Sequence, residues 1–279
     1  MRVRRTRGNQ LEIYHYRQYV DERGLGRTKR LVKPGTQAAD GVQSTITPIR
    51  NLDGRDREEM FSLHERYYDA TTRDTFERDL SEKDAVVIIH HSGRIIGFST
   101  YVVRQMKIGS ETVHYLFSGD TVLHSARWGD PVLLRGFFRA AGEAKASIEG
   151  RLFWFCIIGG HRTFRILPNF FREFVPAIDN GPGSTDLLTI RDVIATARYG
   201  RFFDAVTGLV DFGPSQGHLR QEWADVAETA SRNRFAAFFL RANPEYFRGV
   251  ELACLAEFDT GNLKRYGAVS FAEGLGDGP

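Results

Sequence analysis

Apolar positions along the chain fall into short alternating or continuous runs separated by stretches of helical spacing. A short strand is predicted near residues 45–50. A helix follows over about 54–69, in which Met60, Phe61, Leu63, His64, Tyr67 and Tyr68 recur at helical intervals. A second short helix is predicted over about 72–80. Residues 85–90 (AVVIIH) are a β-branched run, 91–94 a turn and 95–103 a second run, which predicts a β-hairpin. A turn at 108–110 leads into a third strand over 113–123, so the three strands form an antiparallel meander.

A polar turn, 124–129, separates that strand from a helix opening at Asp130 and Pro131. Asp130 is a good N-cap, and Pro131 suits the first helical position because its missing N–H has no intrahelical partner there. Leu133, Leu134, Phe137, Phe138, Ala141 and Ala144 lie on one side of the helix, with Arg135, Arg139 and Glu143 on the other. Gly150 closes it. Residues 151–158 (RLFWFCII) are almost wholly apolar, which suits a strand covered on both faces in the middle of a sheet. The crossover makes a β-helix-β unit whose ligand crevice lies at the carboxyl ends of its strands.

Gly159 and Gly160 give a tight turn, and a short helix over 161–167 is expected to stop before Pro168. Further on, a helix over 186–198 with Asp186 at its start, a loop at 213–217, a helix over 221–234, an apolar run at 235–240 and a last strand at 251–258 are expected. The Gly-rich tail after Phe271 reads as frayed. The resulting division is a basic, partly ordered extension (1–44), an α/β core (45–180) and a C-terminal helical region with a closing strand packed on that core (181–279).

Charge sharpens the first boundary. Residues 1–33 hold ten Lys or Arg against three acids, of 38 and 35 in the 279-residue chain, so the remainder is slightly acidic despite a net charge of +3. Such an arm can meet nucleic acid or an acidic partner, or simply be solvated. Cys156 and Cys254 form no disulfide framework and no metal spacing, which is the pattern of a reducing cytoplasm. No apolar segment is long enough to cross a bilayer, so no membrane association is expected.

The candidate chemistry is concentrated in residues 111–138. First-turn amides after Asp130, the helix dipole, and Arg127 and Arg135 together make a candidate anion site. Strict alternation along the preceding strand places His114, Leu116, Ser118, Asp120, Val122 and His124 on one face. A carboxylate or imidazole there can serve as a general base, with Asp120 first, His114 second and Ser118 on the same face. His124 reads as a loop anchor. His90 and His91 point to opposite faces of a strand without a partner at ligand spacing, so no metal is expected.

The order of elements from residue 45 to 167 resembles the Gcn5-related N-acetyltransferase (GNAT) fold. Within it, residues 114–141 look like the acyl-CoA motif, whose loop follows the pattern Arg/Gln-x-x-Gly-x-Gly/Ala. Here that loop keeps Gly129 but puts Pro131 where a second Gly or Ala is usual, and Trp128 stands beside it. The stretch 164–174 also resembles a divergent bacterial GNAT-like group.

The resemblance implies an N-acyltransferase with acyl-CoA as donor substrate and a small-molecule amine as acceptor. It implies a donor site at Val122, Leu123, Arg127, Trp128, Gly129, Asp130, Val132 and Arg135, with amides near Val122 and Leu123 binding the thioester oxygen. It also implies an acceptor side at His64, Tyr67 and Tyr68. The family's frequent tyrosine acid has no counterpart, since Phe164 stands in that helix. The departures leave two alternatives open: an aminoacyl-tRNA or acyl carrier protein as donor, and an inactive binding module.

Overall fold

The computed structural model describes residues 2–5, 11–14, 16–20, 26–30, 41–178, 185–213, 218–220 and 233–276. Its main sheet has eight strands: β1 (Val42–Pro48), β2 (Ala85–His91), β3 (Arg94–Ile108), β4 (Glu111–Leu123), β5 (Leu152–Ile158), β6 (Phe203–Asp204), β7 (Leu209–Val210) and β8 (Glu251–Glu257). They lie in the order β6-β7-β8-β5-β4-β3-β2-β1, and every neighbouring pair is antiparallel except β4 and β5. In the basic extension, Arg2–Arg5 pairs with Leu11–Tyr14 and Tyr16–Val20 with Gly26–Arg30.

The helices are α1 (Gly54–Glu65), α2 (Arg73–Ser81), α3 (Val132–Ala146), α4 (His161–Phe164), α5 (Ile166–Phe170), α6 (Thr185–Tyr199), α7 (Arg234–Ala242) and α8 (Arg265–Leu275). Asp53 and Thr72 cap the first two with side-chain oxygens that accept the amides of Asp56 and Thr75. One sheet face, carrying Val87, Ile89, Leu116, Trp154, Cys156 and Cys254, packs with Phe137, Phe138 and Phe271 of α3 and α8. On the other face Val86, Ile88, Phe98 and Val122 pack with Met60 and Leu63 of α1 and Phe76 of α2. Val113, Phe117, Phe155 and Leu255 pack there with Leu187 and Ile194 of α6. Alternation along β2 and β5 therefore feeds two cores, as expected for strands covered on both sides.

Several expectations need correction. The first helix ends at Glu65, and Tyr68–Asp69 instead bridges His218–Leu219. The third meander strand and its predecessor run on as a long ribbon, so β3 reaches Ile108. Pro168 does not stop the short helix. It occupies the first turn of α5, where a missing N–H costs no hydrogen bond. The apolar run at 235–240 lies in α7, capped by Asn233. Residues 221–232, most of another expected helix, lie outside the described residues.

The tail after Phe271 is helical to Leu275. Its glycine is a packing device, since a Cβ on Gly274 would collide with the backbone oxygen of Arg139, and one on Gly142 with that of Phe271. Glycine at both positions lets α8 approach α3 closely, with Phe258 and Phe271 stacked beneath the contact.

The most consequential correction concerns β4. Ser99 faces Thr121 and Tyr101 faces Ser118, so Gly119 and Asp120 together oppose Thr100. This extra residue is a β-bulge. Up to Ser118 the alternation holds, with Leu116 on the α3 side, but past the bulge Val122 packs among Met60, Phe76 and Phe98. Asp120 and Val122 therefore face α1, opposite to His114 and Ser118.

Candidate active site

Parallel pairing of β4 with β5 begins at His114 and Leu152 and ends at Phe117 and Phe155. Beyond that point, among the described residues, β5 pairs only with β8, through Cys156, Ile157 and Ile158, while β4 continues to Leu123 paired only with β3. The two strands thus part at their carboxyl ends and leave a gap. His124 donates its amide to Ile96 O on the β3 side. By alternation the Val122 amide turns the same way, and the Leu123 amide turns towards the gap.

On the α1 side of this gap, His64 Nε2 lies 3.4 Å from Asp120 Oδ1. The His64 ring is buried and stacks on Tyr68 at 4.6 Å between centroids, with Phe76 tilted against it. The Asp120 carboxylate keeps 29% of its surface. Glu251 stands at the mouth, where a Cβ on Gly159 would lie 3.7 Å from its Oε1. Protein surrounds the Glu251 carboxyl while part of its surface still meets solvent. Burial, with the charge of Asp120 second, pushes it up to about 8. Burial and then the charges of Asp120 and Glu251 also drive the Tyr68 phenol well above its ordinary value.

Next to the bulge, a Cβ on Gly119 would fall 2.5 Å from Lys83 Cε and 2.6 Å from Thr100 Oγ1. Lys83 is buried and pairs with Asp79 at 2.6 Å, and the Asp79 carboxyl is raised by burial first and Asp120 second. A cavity of about 270 Å3 lined by Glu82, Lys83, Val102, Arg104 and Arg198 opens there. Arg198 lies 4.1 Å over the Phe117 ring, while Arg104 is bound by Asp84.

The sequence-derived candidates separate into groups. Asp120, His64 and Tyr68 converge on the gap. His114 lies at the paired end of β4, about 20 Å along the strand from Asp120 and on the other face. Ser118 Oγ accepts the Trp154 indole N–H at 2.9 Å, also on the α3 side. The Tyr67 hydroxyl accepts the Ser125 amide at 2.7 Å, and so holds the bend rather than the gap. His124 anchors the same bend, with Nδ1 accepting the Ala126 amide and Arg66 at Nε2. Glu251 was not a candidate. Its only mark in the sequence is an acid opening the apolar run ELACLAEF.

The bend before α3, where a pyrophosphate would sit, spends most of its own donors internally. The Val132 amide is taken by Asp130 Oδ1 at 3.0 Å, and Arg127 sits 3.7 Å from the same carboxylate. Trp128 donates its indole N–H to Leu123 O at 2.7 Å, and the Arg162 guanidinium lies 4.9 Å over its ring. Gly129, at φ +89°, and Arg135 are exposed. The helix is assigned from Val132 with Pro131 at its cap, and Asp130 supplies the capping oxygen. Among the described residues, no group of three or more His, Cys, Asp or Glu could hold a metal, and no helix is long and apolar enough to cross a membrane.

A strand, two helices, a three-strand meander, a crossover helix and a central strand parallel to the last meander strand make a mixed α/β sheet, in the order expected from the sequence. No family model matches the sequence, and no curated protein matches it. Solved structures similar to it include proteins described as N-acetyltransferases. One from Enterococcus faecalis V583, described as a probable N-acyltransferase, is 11% identical with a TM-score of 0.36. That match covers 47% of this chain and 33% of the other, so it spans about a third of the relative. The GNAT family N-acetyltransferase YhbS from Escherichia coli, in complex with CoA, is 12% identical over 48% of this chain and 71% of its own, with a TM-score of 0.35. NAA60 from Arabidopsis thaliana, in complex with a bisubstrate analogue, is 12% identical over 47% and 86%, with a TM-score of 0.34.

Proposed function

We propose that the protein is an N-acyltransferase in which a pantetheine thioester lies between β4 and β5 and a small-molecule amine attacks it directly. The observation that carries this reading is the loss of pairing after Phe117 and Phe155. It leaves the far edge of β4 with peptide groups and no neighbouring strand among the described residues, which favours an extended, amide-bearing arm. The Leu123 amide turns towards the same space and is the donor for a carbonyl oxygen gaining charge.

Asp120 takes the amine proton, with His64 orienting the carboxylate from 3.4 Å. As the C–N bond forms and the C–S bond breaks, the departing thiolate needs a proton. Glu251, held protonated near neutral pH, supplies it from the mouth of the gap. Tyr68 and His64 line the acceptor's approach. Acyl-CoA is the first donor to assay.

The test incubates the protein with short-chain acyl-CoA and acyl-pantetheine against a panel of small amines, following free thiol and amide product together. Equimolar thiol and amide, lost on Asp120→Asn, support the reading. No product with any pair, together with no binding of either thioester at about millimolar concentration, removes it. An aminoacyl-tRNA donor would use the same gap. It predicts turnover that falls steeply with salt and is lost when residues 1–33 are deleted.

A further inference from the structure

We infer that the donor is recognised through its pantetheine arm and acyl group, with its nucleotide contributing nothing to binding. The inference rests on the acyl-transfer reading above and concerns the phosphate end of the same donor.

It follows from where the amides of the bend are spent. Ser125 N–H goes to the Tyr67 hydroxyl and Ala126 N–H to His124 Nδ1. Arg127 N–H goes to His124 O, Trp128 N–H to Ser125 O, and Asp130 N–H to Arg127 O, at 2.8, 3.2 and 2.9 Å. Val132 N–H goes to the Asp130 carboxylate. Pro131 has no N–H to offer. Across residues 125–134, the amides of Gly129, Leu133 and Leu134 have no internal acceptor among the described residues. A diphosphate needs several convergent amides, and those of Ser125, Ala126, Arg127, Trp128, Asp130 and Val132 would each first have to be taken from an acceptor already held.

Charge works in the same direction. The positive end of α3 already faces an anion, the Asp130 carboxylate, 3.0 Å from its first amide. Arg127, the cation expected to help hold a phosphate, is 3.7 Å from that carboxylate. Trp128 fills the remaining approach, its ring fixed by Leu123 O and covered by Arg162. The bend spends most of its amides internally, and those left at the start of α3 stand beside the Asp130 carboxylate. The β4 edge beyond Phe117 differs, because no strand among the described residues satisfies it. Recognition therefore falls on the arm, and thioesters that share the pantetheine arm and acyl group are equivalent donors whatever is attached at its 4′-oxygen.

The experiment compares acetyl-CoA with acetyl-pantetheine on the full chain with one amine. The expected kcat/KM values agree within about threefold, and a preference for acetyl-CoA of roughly 100-fold or more overturns the inference while leaving the acyl-transfer reading intact. Turnover of neither thioester with any amine, together with no binding of either at about millimolar concentration, overturns both. A second arm needs no turnover: 3′,5′-ADP, the nucleotide half of CoA, is titrated calorimetrically into the wild type, Asp130→Ala and Asp130→Asn. The wild type should give no binding up to about 5 mM, and Asp130→Ala, which frees an amide and removes the charge, should bind at least about tenfold more tightly. Asp130→Asn keeps the cap and should fall between them. Wild-type binding tighter than about 0.1 mM contradicts the inference, as does no gain in either variant.

Discussion

His64 Nε2 and Asp120 Oδ1 lie 3.4 Å apart, brought together by a single extra residue in β4 that turns the carboxylate to the α1 side of the sheet. Asp120→Asn keeps the shape and removes the base. It should lower kcat by about 10²–10⁴ with little change in donor KM, as read from initial rates at saturating amine. His64→Ala should cost less, because it orients the carboxylate without replacing it. Equal activity of Asp120→Asn and wild type would remove the assigned role.

Glu251 makes a separate, pH-dependent prediction. Its carboxyl titrates at about 8 in the folded protein, against about 4.3 for an unfolded glutamate. Between those values the folded state binds the extra proton. The group's stabilising share is therefore complete at low pH and is lost as pH rises towards 8. Urea midpoints measured at pH values of about 5 and 8.5 should show Glu251→Gln gaining on the wild type at the higher pH. A difference independent of pH would show that Glu251 is not held protonated. The same substitution should also abolish an alkaline fall in rate near pH 8, if this group protonates the leaving thiolate.

Gly119 should tolerate no side chain. A Cβ there meets Lys83 Cε at 2.5 Å and the buried Thr100 Oγ1 at 2.6 Å, and Lys83 is pinned by Asp79. Gly119→Ala should destabilise by about 1–3 kcal/mol. It should lower activity further than that loss explains, since it displaces the bulge that aims Asp120. Thermal melts alongside rates on the residual folded fraction check both parts.

Close approach of α3 and α8 is the other place where glycine decides packing. Gly142→Ala and Gly274→Ala each set a methyl against backbone oxygen, which cannot rotate away. Either should cost about 1–3 kcal/mol and lower Tm by several degrees. Because α8 is remote from Asp120 in the fold, catalysis per folded molecule should be unchanged. A variant that melts like wild type would contradict the contact.

What could be read from the chain, and what could not, follows from the range of each signal. Residues 85–90 and 151–158 announced strands because β-branched and apolar runs of that length have few other uses, and the crossover between β4 and β5 followed from them. The bulge was illegible: alternation assumes a period of two, and nothing in Ser118-Gly119-Asp120 declares an unpaired residue. Glu251 was missed because its partner, Asp120, comes from a distant strand, and only the sheet order brings them together. Asp130 and Pro131 correctly marked a helix start. That the same aspartate takes the Val132 amide, and so sets a carboxylate at the helix start, was not legible in the sequence. Glycine at 274 read as fraying, although it is the residue that permits helix contact.

The most direct test is a crystal structure with a non-hydrolysable ketone analogue of an acyl-pantetheine. The account predicts the ligand extended along β4 beyond Phe117, its carbonyl oxygen about 3 Å from the Leu123 amide and the acyl group facing Asp120. A ligand bound elsewhere, or β4 and β5 zipped together through Ile158 with no room between them, would contradict it.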